Sequence, residues 1–223
     1  MSRSRRRRLP PIRITTEVYR LYEDSVAHHA PETFALLGGH LDDPFLISEF
    51  RFCPPQRTTG GRYDASSVHI NVDHELMNFI IDHEWKPAGK YCLGIWHSHP
   101  GQSTQPSVGD DATNTGDIAF FTSCLENDDS PDRNWRYFLA PITTFVDDRD
   151  QVHGWVLRRG SRKPEPCHVI VDPSAHSGLD GLIPGGPPFS LPPLLAPMCL
   201  TSDYPPRHQR VHSINSALCG YLV

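Results

Sequence analysis

The strongest constraint on the fold is an apolar run that ends in two histidines, within "KYCLGIWHSHPGQSTQPSVGDD" at positions 90–111. The run is apolar for most of its length, which predicts a central strand that is buried in a sheet. Side chains two residues apart in a strand point to the same face, so His97 and His99 project together. Neutral imidazole is a good zinc ligand, so the pair is interpreted either as part of a metal site or as ordinary histidines at the end of a strand.

A catalytic zinc site also needs a third protein ligand and one open position for water. Asp110 is a candidate, because the residues after His99 could bring it back over the strand end. However, Ser107 and Asp110 also match the [ST]-x-x-[DE] pattern that begins a helix. The pair is therefore interpreted either as a capping box or as part of a site, and a third helix is predicted to start near Ser107.

The segments on either side predict an α/β fold. Two stretches have apolar residues at helical spacing: "TTEVYRLYEDSVAHHA", with Thr15 or Thr16 as cap, and "DHELMNFIIDHEW". Strands are predicted in the apolar or alternating stretches "TFALLGG", "FLISEFRF", "VHINV", "WRYFLAPITTFV", "QVHGWVLRRG" and "CHVIVD".

Composition divides the chain into three parts. Residues 1–13 carry six arginines and predict a disordered basic arm, with a weak contact to an anionic partner as the alternative. Residues 14–172 are long enough for one well-buried domain. Residues 173–223 are dense in Pro and Gly, which resists regular structure, and predict an extended C-terminal segment.

Charge and cysteine content exclude several function classes. The formal charge of −5 gives no global argument for nucleic acid binding, and no stretch is apolar for long enough to span a membrane. The six cysteines include no C-x-x-C pair, so a cysteine-based zinc site is not supported. No apolar segment follows the arginines as in a signal peptide, so we expect reduced thiols and a cytoplasmic protein.

The histidine stretch resembles the JAMM motif of MPN-domain metalloproteases. The spacing His-x-His, seven residues, Ser, two residues, Asp is matched by His97, His99, Ser107 and Asp110, with the flanks "GxWHSHP". That family also has a glutamate before a strand of the type "LLG", and Glu32 in "HHAPETFALLGG" has this place.

The resemblance covers about residues 15–160 and implies both a mechanism and a fold. His97, His99 and Asp110 would hold Zn²⁺, Glu32 would move the proton of a zinc-activated water, and Ser107 would stabilise the oxyanion. The implied fold is an MPN (JAB) domain: a curved mixed β-sheet with helices on both sides, related to cytidine deaminases. Zinc would lie at the end of the "GIWHSH" strand.

The resemblance further implies hydrolysis of a peptide or isopeptide bond after the C-terminal glycine of a ubiquitin-like protein. The chain is similar to the compact prokaryotic branch of the family. Its implied partners are a ubiquitin-like protein or its conjugates, together with E1-like and E2-like proteins. Some members of this branch act in antiphage defence. A sulfur-carrier or peptide-processing hydrolase and a non-catalytic scaffold remain alternatives. A zinc nucleobase deaminase is excluded, because H-x-E and P-C-x-x-C are both missing.

Overall fold

The computed structural model describes residues 8–27, 32–55, 62, 73–99, 103–109, 116–126, 135–147 and 149–175. Three α-helices lie within these ranges: α1 (Thr16–Glu23), α2 (His74–Phe79) and α3 (Asp117–Glu126). The strands are β1 (Ile12–Thr15), β2 (Phe34–Gly39), β3 (Leu46–Ile47), β4 (Glu49–Phe52), β5 (Tyr91–His99), β6 (Tyr137–Leu139), β7 (Ile142–Val146), β8 (Arg149–Arg158), β9 (Glu165–Cys167) and β10 (Val169–Asp172).

Strand β5 lies inside the larger of two sheets. It pairs antiparallel with β2 on one side and parallel with β6 and β7 on the other. Strand β4 extends the sheet beyond β2, and β8 followed by β9 extends it beyond β6 and β7. The smaller sheet has β1 between β3 and β10, in parallel. The predicted mixed sheet with a central histidine strand is therefore confirmed.

Helices cover both faces of the larger sheet, as expected. On one face α1 packs through Val18 and Tyr22, and the Tyr22 ring stacks on Trp96 of β5 with centroids 4.2 Å apart. On the other face α2 and α3 pack through residues such as Met77 and Phe121. Because successive side chains of β5 alternate between these two layers, Trp96 and His97 project to opposite faces of the sheet.

The first strand and the first helix show one difference and one agreement. Ile12 and Arg13 lie in β1, inside the segment predicted as a disordered arm, because β1 is held between β3 and β10. Helix α1 begins where predicted, and the Thr15 side chain accepts a hydrogen bond from the Val18 N–H. The remaining arginines of the arm before Arg8 lie outside the described residues.

Two predicted strands are divided. "FLISEFRF" is interrupted at Ser48, because β3 pairs with β1 in one sheet whereas β4 pairs with β2 in the other. "WRYFLAPITTFV" is interrupted at Ala140 and Pro141, where the Ala140 N–H bonds the Trp155 carbonyl and proline has no N–H to donate. The predicted "VHINV" strand lies outside the described residues.

The second and third helices also differ from expectation. Helix α2 continues as a π-helical turn over Ile80–Trp85 and then a 3₁₀ turn over Lys86–Ala88. Helix α3 begins at Asp117 rather than near Ser107, since residues 107–109 are not helical and Gly109 has a φ of 69°. None of the helices in the described ranges is long and apolar enough to cross a membrane, and the four cysteines there are thiols.

Candidate metal centre

The two histidines at the end of β5 converge through their Nε2 atoms, which are 3.0 Å apart. Both side chains project to the face that α3 covers, as strand alternation requires. His97 is buried and its ring lies 6.4 Å from that of Phe121, in an edge-on arrangement. This packing holds one imidazole rigidly, while His99 is more exposed and lies at the rim.

Hydrogen bonding fixes the tautomer of His99. Its Nδ1 lies 2.8 Å from the carbonyl of Ser103, and a carbonyl can only accept, so Nδ1 carries the proton. The lone pair of a neutral imidazole is then on Nε2, facing His97. The segment that carries Ser103 is itself held, because the Trp155 indole N–H donates to the Thr104 carbonyl at 2.8 Å.

Glu32 reaches the histidines because it lies two residues before β2, the strand that pairs with β5. Phe34 pairs with His97 across the antiparallel strands, which places Glu32 beside His99 on the same face. One ligand atom each from Glu32, His97 and His99 lie within 4.8 Å of one another. Burial raises the pKa of Glu32, and the nearby Asp117 charge adds to this, whereas the two histidines oppose it.

Ser98, between the two histidines, holds the chain next to Glu32. It is completely buried on the opposite face of β5. Its backbone N–H donates to the Thr33 carbonyl at 3.0 Å, and its Oγ accepts from the Thr33 N–H and hydroxyl, both at 2.9 Å. The strand that presents the imidazoles therefore also fixes the position of the glutamate.

A second carboxylate completes the group. Asp117, the first residue of α3, places Oδ1 3.5 Å from His97 Nε2 and Oδ2 3.6 Å from His99 Nε2. Burial by itself would raise the pKa of Asp117, but the charge of His97 and the contacts with both imidazoles and Ser107 hold it well below its usual range. The same carboxylate raises the pKa of His99 against the effect of burial.

Ser107 and Asp117 bond each other in both directions. The Ser107 N–H and hydroxyl donate to Asp117 Oδ2 at 2.7 and 2.9 Å, and the Asp117 N–H donates to Ser107 Oγ at 2.9 Å. Ser107 is exposed, whereas Asp117 is partly covered. The hydroxyl of Ser107 is thus used to hold a carboxylate at the start of a helix.

The structure brings three of the five sequence-predicted site residues together directly: Glu32, His97 and His99. Ser107 joins them through its contacts with Asp117. Asp110, the predicted third ligand, lies outside the described residues, so its role stays a prediction. Sequence reasoning missed Asp117, although its place immediately before the apolar run "IAFF" is a signal for a helix start.

The donor set fits a zinc ion. Two ligands bound to tetrahedral zinc at ~2.0–2.1 Å stand ~3.3 Å apart. The two imidazole Nε2 atoms are 3.0 Å apart, and those of His97 and His99 lie 3.5 and 3.6 Å from Asp117 Oδ1 and Oδ2 respectively, so all three side chains approach this spacing. Nε2 is the nitrogen of His97 that faces His99 and Asp117, so it is the atom through which this ring would bind; within the described residues the buried Nδ1 has no hydrogen-bond partner.

Comparison with known proteins points to one family. Residues 17–139, more than half of the chain, match the family described as "Prokaryotic homologs of the JAB domain". The solution structure of protein DSY2949 from Desulfitobacterium hafniense is similar over 72% of this chain and 92% of that chain, with 15% identity and a TM-score of 0.44. No curated protein matches the chain.

Proposed function

The chain belongs to the prokaryotic homologues of the JAB domain, and from this premise we propose that it is a zinc-dependent hydrolase. Membership of this family supports a JAMM-type hydrolase or a related scaffold. The observation that favours the hydrolase is the convergence of Glu32, His97 and His99 within 4.8 Å. A scaffold that only binds a partner has no need to keep a proton-transfer group beside two metal-binding imidazoles.

Each residue of the site has a role in this proposal. His97 and His99 hold the ion with one aspartate, and bound zinc supplies Lewis acidity, which polarises a carbonyl and lowers the pKa of water. Glu32 accepts a proton from the attacking water and returns it to the leaving nitrogen. Its raised pKa suits both steps, because a carboxylate that titrates nearer neutral pH both accepts and donates readily.

We propose peptide or isopeptide bonds after the C-terminal glycine of a ubiquitin-like protein as the substrate. This class rests on the motif resemblance, and one feature of the described residues suits it. Residues 103–105 and 107–109, beside the histidines, are exposed, and the His99 side chain keeps 15% of its surface accessible, so this edge of the site lies at the surface. An extended protein terminus can enter such an opening, and terminal glycines let its backbone approach closely.

The experiment is a capture with a disabled enzyme. Glu32→Ala protein is purified from its native host, and bound species are identified by mass spectrometry. Each captured species is then incubated with zinc-loaded wild-type protein, and its new C-terminus is determined. Glu75→Ala serves as control, because Glu75 is an exposed carboxylate on α2, away from the site, and its removal should leave turnover unchanged.

The outcomes separate the proposals. A ubiquitin-like protein joined to a lysine and released by the wild type would support a deconjugase. A precursor with residues beyond the glycine, or a carrier bearing one amino acid, would support processing or sulfur transfer instead. A captured partner that zinc-loaded wild-type protein never cuts would contradict the hydrolase and favour the scaffold.

A further inference from the structure

We propose that Asp117, rather than Asp110, is the third protein ligand of this metal centre. The inference rests on the proposed zinc site and changes its composition. In the motif the aspartate follows the serine by three positions, whereas Asp117 follows Ser107 by ten. Residues 108–116 then separate the serine from the carboxylate that it supports, nine residues where the motif has two.

The Asp117 carboxylate lies where a third ligand is needed, beside both imidazoles. The Asp117 carboxylate bridges both imidazoles, with one oxygen directed to His97 and the other to His99. Its side chain keeps about a fifth of its surface exposed, which leaves room for an open coordination position. Two imidazoles and one carboxylate make the three protein ligands that a catalytic zinc site uses, and a second aspartate would close the position that water needs.

Asp117 also makes the contacts with Ser107 that are expected of the motif aspartate. A serine that starts a helix bonds a backbone N–H of the first turn, and an acidic partner bonds back to the backbone N–H of the serine. Ser107 bonds the Asp117 N–H, the Asp117 carboxylate bonds the Ser107 N–H, and the Ile118 N–H donates to the Ser107 carbonyl at 3.1 Å. The capping box is therefore present, but its two halves are ten residues apart.

Two glycines permit this separation. Gly109 and Gly116 have φ values of 69° and 100°, and their backbones touch. A Cβ on Gly116 would lie 2.6 Å from the Gly109 Cα, so only glycine fits there. The two α-carbons are thus near the ~3.8 Å spacing of consecutive residues, and the chain resumes at Gly116 almost where it left at Gly109.

The test compares zinc binding by Asp117→Asn and Asp110→Asn. Each variant is loaded with Zn²⁺, zinc is counted by elemental analysis, and affinity is measured by competition with a chromogenic chelator. Loss of a direct ligand should weaken binding by at least the ~100-fold that a lost supporting contact can cost. We expect this of Asp117→Asn alone, whereas Asp110→Asn should keep the affinity of the wild type because it removes no ligand.

A deletion variant keeps the test valid if Asp117→Asn fails to fold. Removal of residues 110–115 joins Gly109 to Gly116 and eliminates Asp110, and we expect this variant to retain one zinc. Loss of zinc in Asp110→Asn, or in a folded deletion variant, would overturn the inference while leaving the hydrolase proposal intact. Wild-type protein that binds no zinc would overturn both.

Discussion

Three side chains at the metal centre differ in protonation state, and each can be substituted separately. His99 presents a lone pair on Nε2 because its proton lies on Nδ1, which donates a hydrogen bond to the Ser103 carbonyl. Glu32 is buried and its pKa is raised, which suits proton transfer. The carboxylate of Asp117 stays ionised because its pKa is held low by the imidazoles, in spite of its burial. Environment, rather than residue type, separates the two carboxylates.

Substitution Glu32→Gln tests the proton-transfer role. The amide keeps the shape of the side chain but cannot accept the proton, so kcat should fall by about 10²–10⁴. Zinc content and melting temperature should stay at wild-type values, because no ligand is lost and burial of a neutral amide costs less than burial of a charge. Steady-state kinetics with elemental analysis checks this. Turnover near the wild-type rate would remove Glu32 from this role.

Substitution Ser107→Ala tests the hydroxyl that bonds Asp117. If it also stabilises the oxyanion, as the motif implies, kcat should fall by about 10²–10³. Loss of the helix cap should lower the stability by about 1 kcal/mol. Ser103→Ala is the matched control, because within the described residues the Ser103 hydroxyl bonds only the nearby Gln105 carbonyl. A lower melting temperature with an unchanged rate would assign Ser107 to capping alone.

At the scale of elements, the pairing of β2 with β5 aligns the glutamate with the histidines. Ser98 and Thr33 make three hydrogen bonds between these strands, on the face away from the metal centre. Ser98→Ala leaves a Thr33 N–H without its acceptor, which should cost about 1–3 kcal/mol. Because Glu32 is next to Thr33, we expect kcat to fall while zinc is retained.

A double-mutant cycle with Thr33→Val distinguishes positioning from general destabilisation. If the two side chains act as one unit, the double variant should lose little more activity than Ser98→Ala alone. Additive losses, or a loss confined to stability with kcat unchanged, would contradict a positioning role for Ser98.

The contact of β5 with β6 requires a glycine. A Cβ on Gly94 would lie 1.9 Å from the Leu139 carbonyl oxygen, which belongs to the paired strand. Gly94→Ala should therefore lower the free energy of unfolding by at least about 2 kcal/mol. Gly89→Ala is the control, since its Cβ would meet open space and only its φ of 70° opposes it. Equal chemical-denaturation midpoints for the two variants would contradict the packing described here.

Elements with strong periodicity follow from the sequence, and elements that depend on distant contacts do not. The β5 strand and the cap of α1 at Thr15 have local causes: a continuous apolar run and a hydroxyl beside a helix start. The division at Ser48 could not be predicted, because it arises from two sheets that share one segment.

The metal centre shows the same limit. Glu32, His97 and His99 could be predicted from the sequence because they match the spacing of the motif. Strand alternation explains why the two histidines project together. Asp117 could not, because the local pattern after Ser107 already supplied an aspartate at the motif position. Only the tertiary contact of Gly109 with Gly116 brings a carboxylate ten residues away to the same serine.

At the scale of the whole molecule, the site is assembled from segments far apart in the chain. Glu32 precedes β2, the histidines end β5, Ser103 and Ser107 follow it, and Asp117 begins α3. The two core layers on either side of the larger sheet hold these segments in register. An ion bound by the histidines of β5 and by Asp117 would join the larger sheet to α3. Zinc should therefore stabilise the folded chain, and more strongly the more tightly it binds.

Zinc stoichiometry of native protein tests the central claim most directly. We predict one tightly held zinc per chain by elemental analysis, lost in His97→Ala, and a melting temperature that falls on treatment with a strong chelator and recovers on addition of Zn²⁺. Folded native protein that holds no zinc after exposure to Zn²⁺, with a melting temperature indifferent to chelator, would contradict the account.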